Sequence, residues 1–375
     1  FRIMNNINFN FQFGTKIIFG NYKISELSYH LKQYALKNPC IIIDQALKKN
    51  QLIQKTIAEL KYDKIIIYNH FGEPTYEYLE EKRKEVTNKK IDVFIGIGGG
   101  STIDLSKGLC VLYSNKNKSI KYMGFNKFKN KIKPIIAIPT TAGSGSEITP
   151  NASFVDTISK KKMGINGEKI RPLIAILDPV LTLSCPKKPT IYSALDAIVH
   201  STEAYVAKDS NIMAKFFANK SLNLILNNIE LSINDLKNLK ARENLLLGSF
   251  LAAIALMNSG TGPAAAISYP LGVHFGVPHG LGGGITLPHV IRLNIQKGYS
   301  GYDEILQYKK KNAYVEHIFD LWNKIKVPNN LKKFKIKSKD INLISNESYD
   351  MKGAINQNPV KYDIKDIETI CEKLI

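Results

Sequence analysis

Asp196 and His200 stand four residues apart in the apolar, helix-forming stretch from Ala194 to Tyr205, and Pro278-His279-Gly280 follows far downstream. A carboxylate and an imidazole at i and i+4 project from one helix face, so both can reach one divalent cation, and a distant histidine can close the site. A capped or salt-bridged helix would use the same pair, so the reading depends on what else the chain carries.

A second chemistry is written further upstream. After the apolar run Val93-Phe94-Ile95-Gly96-Ile97 comes Gly98-Gly99-Gly100-Ser101-Thr102-Ile103-Asp104, glycines leading into a helix that Ser101 or Thr102 would cap. Glycine permits close approach and positive φ, and N–H groups at a helix start attract phosphate. No Gly-Lys-Ser/Thr follows, so this is not a Walker loop, and the spacing is not the Gly-x-Gly-x-x-Gly fingerprint. The loop from Pro139 to Glu147 can add the hydroxyls of Thr140, Thr141 and Ser144 to the same ligand. Asp44 closes the run Ile41-Ile42-Ile43, where a carboxylate can accept from a ribose 2′-OH and repel a 2′-phosphate, which favours NAD over NADP. A turn cap is the competing use of Asp44.

These groups need a scaffold. Through about residue 180, short apolar runs at Cys40–Ile43, Ile65–Tyr68, Val93–Ile97 and Ile135–Ile138 alternate with helix-like segments, as expected of strands buried on both faces of a parallel sheet. From Pro186 the apolar spacing turns helical, over Ile212 to Leu226, Ala241 to Met257 and Asp363 to Leu374. The expected fold is an α/β nucleotide-binding domain with a Rossmann-like parallel sheet, residues 1–182, followed by an all-α domain, residues 183–375. The Lys/Asn-rich stretch from Asn115 to Lys133 reads as an exposed loop with a short turn.

The 375-residue chain carries 44% hydrophobic residues and a formal charge of +20. Its lysines are spread along the chain without a basic, aromatic-interleaved stripe, so nucleic acid is not expected as a partner. The charge instead leaves room for steering of an anionic small molecule. No run of about 18 apolar residues suggests a membrane span. Cys40, Cys110, Cys185 and Cys371 lack paired spacing and read as free thiols in a reducing compartment, hence a cytoplasmic protein. His30, His70, His289 and His317 read as surface or packing residues.

Taken in order, Gly98-Gly99-Gly100-Ser101 with Asp104 and Lys107, Pro139-Thr140-Thr141-Ala142-Gly143, Asp178-Pro179, Asp196-Ala197 to His200 and Pro278-His279-Gly280 resemble the iron-containing (group III) alcohol dehydrogenase family, whose architecture is shared with dehydroquinate synthase. The resemblance implies a cleft between the two domains that holds NAD(P) beside a divalent metal, Fe2+ or Zn2+. It implies metal ligands at Asp196, His200 and His279 and a cofactor-side lysine at Lys162, although the run Lys160-Lys161-Lys162 by itself reads as a solvated loop. It also implies a third histidine ligand and a proton-relay histidine, and in register these fall on Ala265 and Tyr269. Alanine coordinates nothing, whereas a tyrosine phenol can still donate a proton. His274 lies nine residues from Ala265, a rotation of about 900° on a helix, half a turn away. The segment from Ser268 to Gly280 is similar to that of members acting on acidic small molecules, such as phosphonoacetaldehyde reductases. Relatives of this kind are commonly homodimers or larger.

The expected function is alcohol–carbonyl interconversion by hydride transfer with NAD, assisted by metal and by Tyr269, on a small molecule that is more plausibly anionic than ethanol-like. A cyclase or lyase resembling dehydroquinate synthase, and a nucleotide-binding relative without chemistry, are the alternatives.

Overall fold

Isoleucine-rich runs become strands wherever both of their faces can be covered. The computed structural model describes residues 8–70, 72–307 and 312–375. Its strands are β1 (Lys16–Phe19), β2 (Pro39–Asp44), β3 (Ile65–Asn69), β4 (Val93–Gly98), β5 (Gly124–Phe125), β6 (Ile135–Pro139), β7 (Asn151–Asp156), β8 (Lys161–Asn166) and β9 (Ile174–Leu177). Six form a wholly parallel sheet in the order β1-β9-β6-β4-β2-β3. Alternate residues of its central strands feed different cores, Ile41, Ile43, Ile95 and Ile97 on one face and Cys40, Ile42 and Phe94 on the other.

Between strands run α1 (Leu27–Gln33), α2 (Gln51–Glu59), α3 (Tyr76–Val86) and α4 (Gly100–Ser114). The connection leaving β2 passes through α2 to β3 on one side, and that leaving β4 passes through α4 toward β6 on the other. Adjacent strands whose connections diverge open a crevice at their carboxyl ends, the ligand position of doubly wound sheets. Register pairs Ile43 with Ile97, so Asp44 and Gly98 are neighbours at that crevice.

After β9 only helices follow: α5 (Pro179–Thr182), α6 (Lys187–Val206), α7 (Ile212–Leu226), α8 (Ile229–Asn234), α9 (Leu239–Met257), α10 (Pro263–Phe275), α11 (His279–Gln296), α12 (Ala313–Lys324), α13 (Ile341–Asp350), α14 (Lys352–Ile355) and α15 (Ile364–Glu372), with short 3₁₀ turns between some of them. The expected order, parallel α/β then all-α, is what the chain adopts. Asp178, fully buried at the changeover, accepts from the N–H groups of Tyr22, Ile24 and Val180 at 3.0, 3.1 and 3.0 Å, tying the start of the helical half to the turn after the edge strand β1.

Two expectations need correction. A second sheet, β5-β8-β7, stands beside the first, with an antiparallel β7–β8 pair and a two-residue β5. The stretch from Asn115 to Lys133 supplies β5 and buries Ser119, Tyr122 and Phe128, because those groups close one end of a core beneath the small sheet; only its lysines behave as a loop surface. All four cysteines are buried and free, and no helix among the described residues is long and apolar enough to cross a membrane.

Candidate active site

The crevice floor is made by the two small-residue loops in contact. At Gly100, the first residue of α4, a Cβ would lie 2.5 Å from Ser144 Oγ, so any larger residue would push the loops apart. Thr140 N–H donates to Gly98 C=O at 2.9 Å, fixing the second loop against the first. The helix was expected to be capped by Ser101 or Thr102, but it starts two residues earlier. Gly99 is its N-cap, no side chain caps it, Ser101 lies within the first turn, and Thr102 Oγ1 accepts from Asn69 Nδ2 at 3.0 Å instead. An uncapped N-terminus of a fifteen-residue helix keeps its first N–H groups for an anion. Asp44 Oδ1 accepts from Ala46 N–H at 2.9 Å, so this carboxylate does cap its own turn while standing at the crevice edge.

Asp104, partly exposed, is tied to the second loop and β7: one oxygen accepts from Ser146 Oγ and the other from Ser153 N–H at 2.9 Å. Lys107, completely buried, donates to Ser146 Oγ, Thr149 C=O and Asn151 C=O at 3.0, 2.9 and 2.7 Å, and lies 4.0 Å from Asp104. Glu147 is buried nearby, and burial, only partly offset by its own N–H and by Lys107, pushes its carboxyl up to about 7. The group is a polar plug that locks α4, the second loop and β7 together.

The far end of the crevice holds the carboxylate and imidazoles. Thr141 and Ser193 line one small cleft, and Tyr192, next along α6, touches the start of α11: a Cβ on Gly280 would sit 1.9 Å from Tyr192 C=O. That contact, possible only for glycine, brings His279 to the helix that carries Asp196 and His200. One ligand atom from each of the three lies within 4.8 Å of the others, the one such group among the described residues. Asp196 Oδ1 is 3.6 Å from His200 Nε2 and 3.7 Å from His279 Nε2.

Hydrogen bonding assigns the tautomer of His279. Ser268 Oγ lies 2.6 Å from Ala265 C=O, which can only accept, so the hydroxyl proton is used there. Ser268 Oγ therefore accepts from His279 Nδ1–H at 2.8 Å, leaving Nε2 as a bare lone pair aimed at an Asp196 oxygen. Burial, with Lys162 and His200 adding to it against Asp196, pushes the imidazole down to about 3, so it stays neutral. Two lone pairs facing each other in a pocket only partly open to solvent are what a divalent cation resolves. Two imidazoles and one carboxylate are a donor set suited to Fe2+ or Zn2+, and three protein ligands leave a position open.

Sequence comparison bears on what this pocket belongs to. Residues 14–179 match the family described as iron-containing alcohol dehydrogenase, and residues 190–375 match the C-terminal part of the Fe-containing alcohol dehydrogenase family. The chain belongs to the iron-containing alcohol dehydrogenase family. It is 28% identical over 372 residues to an NAD-dependent methanol dehydrogenase from Bacillus methanolicus, covering 96% of this chain and 97% of that one. It is 28% identical over 361 residues to a sulfoacetaldehyde reductase from Bilophila wadsworthia, with 92% and 93% covered. The crystal structure of a 1,3-propanediol oxidoreductase superposes with a TM-score of 0.92 at 25% identity, covering 98% of this chain and all of that one.

In this dehydrogenase the position expected of a further histidine ligand carries a buried methyl group. Ala265 sits in the first turn of α10, one turn before Tyr269 on the same helix face. The Tyr269 ring meets the His279 ring edge-on with centroids 5.0 Å apart, and burial raises the phenol above its ordinary value, so it holds its proton. His274 is no substitute for the missing imidazole, since its Nε2 pairs with Glu347 on α13 at 2.9 Å.

Three further groups surround the site. Glu203, one turn after His200, is buried and accepts from the N–H groups of Gly262 and Ala264 at 2.7 and 2.6 Å and from Thr261 Oγ1 at 2.9 Å, so it caps α10 from α6. Ser268 orients His279, and a serine inside an apolar helix next to Tyr269 was its only signal. Lys162, placed by the alternation of β8 opposite exposed Lys161, pairs with Glu73 at 2.9 Å and lies 5.3 Å above the Tyr269 ring. Burial opposes the Lys162 charge, but Glu73 and then Tyr269 outweigh it and hold the ammonium above its ordinary value. Tyr269 stands between Lys162 and His279, with its ring 5.3 Å from the Lys162 ammonium and 5.0 Å from the His279 ring.

Proposed function

We propose that the enzyme reversibly interconverts an alcohol and an aldehyde with NAD(H), with Asp196, His200 and His279 holding Fe2+ or Zn2+, and that its substrates carry an anionic group. The observation that carries the reading is the pair of facing lone pairs on Asp196 and His279 at one end of a crevice whose other end is an uncapped helix. The NAD-dependent and sulfonate-handling relatives support the cofactor and the substrate class.

A divalent cation held there supplies Lewis acidity toward the substrate oxygen. The N–H groups of Gly99, Gly100 and Ser101 hold the cofactor pyrophosphate, and Thr140, Thr141 and Ser144 offer hydroxyls beside it. Asp44 accepts from the adenosine ribose 2′-OH and repels a 2′-phosphate, selecting NAD over NADP. Asp104 acts beneath the loops as their anchor. Tyr269, half-buried and protonated, is the group placed to give a proton to the substrate oxygen and to take it back in the reverse direction. Lys162 faces the place where cofactor and substrate meet. In this reading the two domains divide near residue 182, and the enzyme works in the cytoplasm as a homodimer or larger assembly, as its buried free thiols suit. The methyl group at Ala265 favours a second reading, a nucleotide-binding relative that has lost its chemistry.

Metal analysis of the purified protein beside a His279→Ala variant separates the two. The dehydrogenase reading expects stoichiometric Fe or Zn in the native chain, its loss in the variant, and NADH consumption with sulfoacetaldehyde that stops on chelation. Turnover untouched by chelation would remove the metal from the mechanism, and absence of metal and turnover alike would leave the binding protein.

A further inference from the structure

We propose that Glu73 is a specificity-determining residue, a built-in competitor that occupies the Lys162 ammonium until the anionic group of a substrate displaces it. The inference deepens the reading above and rests on it for the substrate class.

Glu73 and Lys162 are unequal partners. The Lys162 side chain is 11% exposed, held in β8 and roofed by the Tyr269 ring at 5.3 Å, whereas the Glu73 side chain is 37% exposed. Glu73 belongs to the irregular segment between β3 and α3, which is pinned just beyond it by Val155 N–H donating to Pro74 C=O at 3.0 Å. A carboxylate that far exposed turns out into water at little cost, because a half-solvated ion pair contributes little. The ammonium cannot follow, and a buried charge left alone is expensive. The pair therefore opens only when another anion arrives in its place. A neutral aldehyde brings none and leaves Lys162 with Glu73.

The position suits a substrate group. Tyr269 joins Lys162 to the cation site: its ring lies under the ammonium on one side and against His279 on the other, at 5.3 and 5.0 Å. A short molecule with a carbonyl toward the cation site and a sulfonate, phosphonate or carboxylate toward Lys162 would lie along the Tyr269 ring that touches both. Selectivity then reflects a contest between the substrate anion and Glu73, and weakening Glu73 shifts it.

The test compares Glu73→Gln with the native enzyme, using sulfoacetaldehyde and propanal as substrates with NADH and ethanesulfonate as an unreactive probe. Freed of its competitor, Lys162 gains affinity for anions by roughly 3- to 10-fold, the reciprocal of the fraction of time the competitor leaves it free. The KM ratio of sulfoacetaldehyde to propanal falls by that factor, and calorimetric binding of ethanesulfonate at saturating NAD+ tightens equally. Glu73→Asp keeps the charge and retains a ratio near the native one, which guards against a folding defect in the glutamine variant. Ethanesulfonate that binds only without NAD+ would assign Lys162 to the cofactor and overturn the proposal, as would a ratio and affinity unmoved in Glu73→Gln. Should neither aldehyde turn over in the native enzyme, the oxidoreductase reading fails, while the ethanesulfonate titration still decides the role of Glu73.

Discussion

The two ends of the crevice are built on opposite principles. Beneath the glycine loops, Asp104 and Lys107 have every charged atom answered by the protein itself, through Ser146, Ser153, Thr149 and Asn151. At the far end, Asp196 Oδ1 and the unprotonated Nε2 of His279 face one another at 3.7 Å, and His200 Nδ1 has no partner. Both regions are buried and both mix charges with small side chains. A closed polar network stabilises the chain that makes it, whereas an open one is destabilising until a ligand completes it. The difference separates the residues that hold the site from those that use it.

The comparison breaks most plainly if its closed end is opened. Lys107→Met takes from Asp104 its nearest countercharge, and the expected loss is about 3–5 kcal/mol of folding stability, as for other broken buried pairs. Denaturant unfolding of that variant should show it, and a midpoint close to the native one would mean that the plug is not structural. At the open end, Ser268→Ala removes only the group that orients His279. Metal affinity should then fall roughly 10- to 100-fold with little change in unfolding, as for other lost partners of metal-bound histidine. A competitive chelator titration measures this, and an unchanged affinity would show that the tautomer is set some other way.

The smallest expected effect sharpens the electrostatics of the closed end. The carboxyl of Glu147 is raised in the fold from 4.5 to about 7, with burial as the first cause. A carboxyl that binds its proton more tightly when folded favours the fold at low pH, so its contribution is complete below about 4.5 and is lost as pH rises to about 7. Glu147→Gln should flatten the decline of stability over that interval, and a pH series of thermal midpoints that keeps the native slope would place the titration elsewhere.

How much of this was legible depends on how local each signal is. The central strands declared themselves because Ile41–Ile43 and Ile135–Ile138 are buried on both faces and have no polar alternation to hide them. Asp196 and His200 declared themselves through helical spacing. The small sheet did not, since β5 has two residues and β7 and β8 alternate polar and apolar groups over a surface. Lys162 came only through the family resemblance, because in the run Lys160-Lys161-Lys162 a period of two buries one lysine and exposes its neighbour, and only the strand register says which. Glu73, Glu203 and Ser268 act across distances in sequence of 89, 59 and 11 residues, so nothing near them in the chain announces the partner. Asp104 stood in the motif beside the glycines, but its hydrogen bonds to Ser146 and Ser153, 42 and 49 residues away, have no local signal.

The contact between Gly280 and Tyr192 C=O also governs how this enzyme can vary. A library randomised at position 280 and selected for growth on an alcohol should return glycine alone, whatever the alcohol, because any side chain there pries α11 from α6 and separates His279 from Asp196. Positions such as Glu73 carry no such veto. Adaptation to new substrates is thus channelled to the loop between β3 and α3, while the junction of two helices is inherited unaltered.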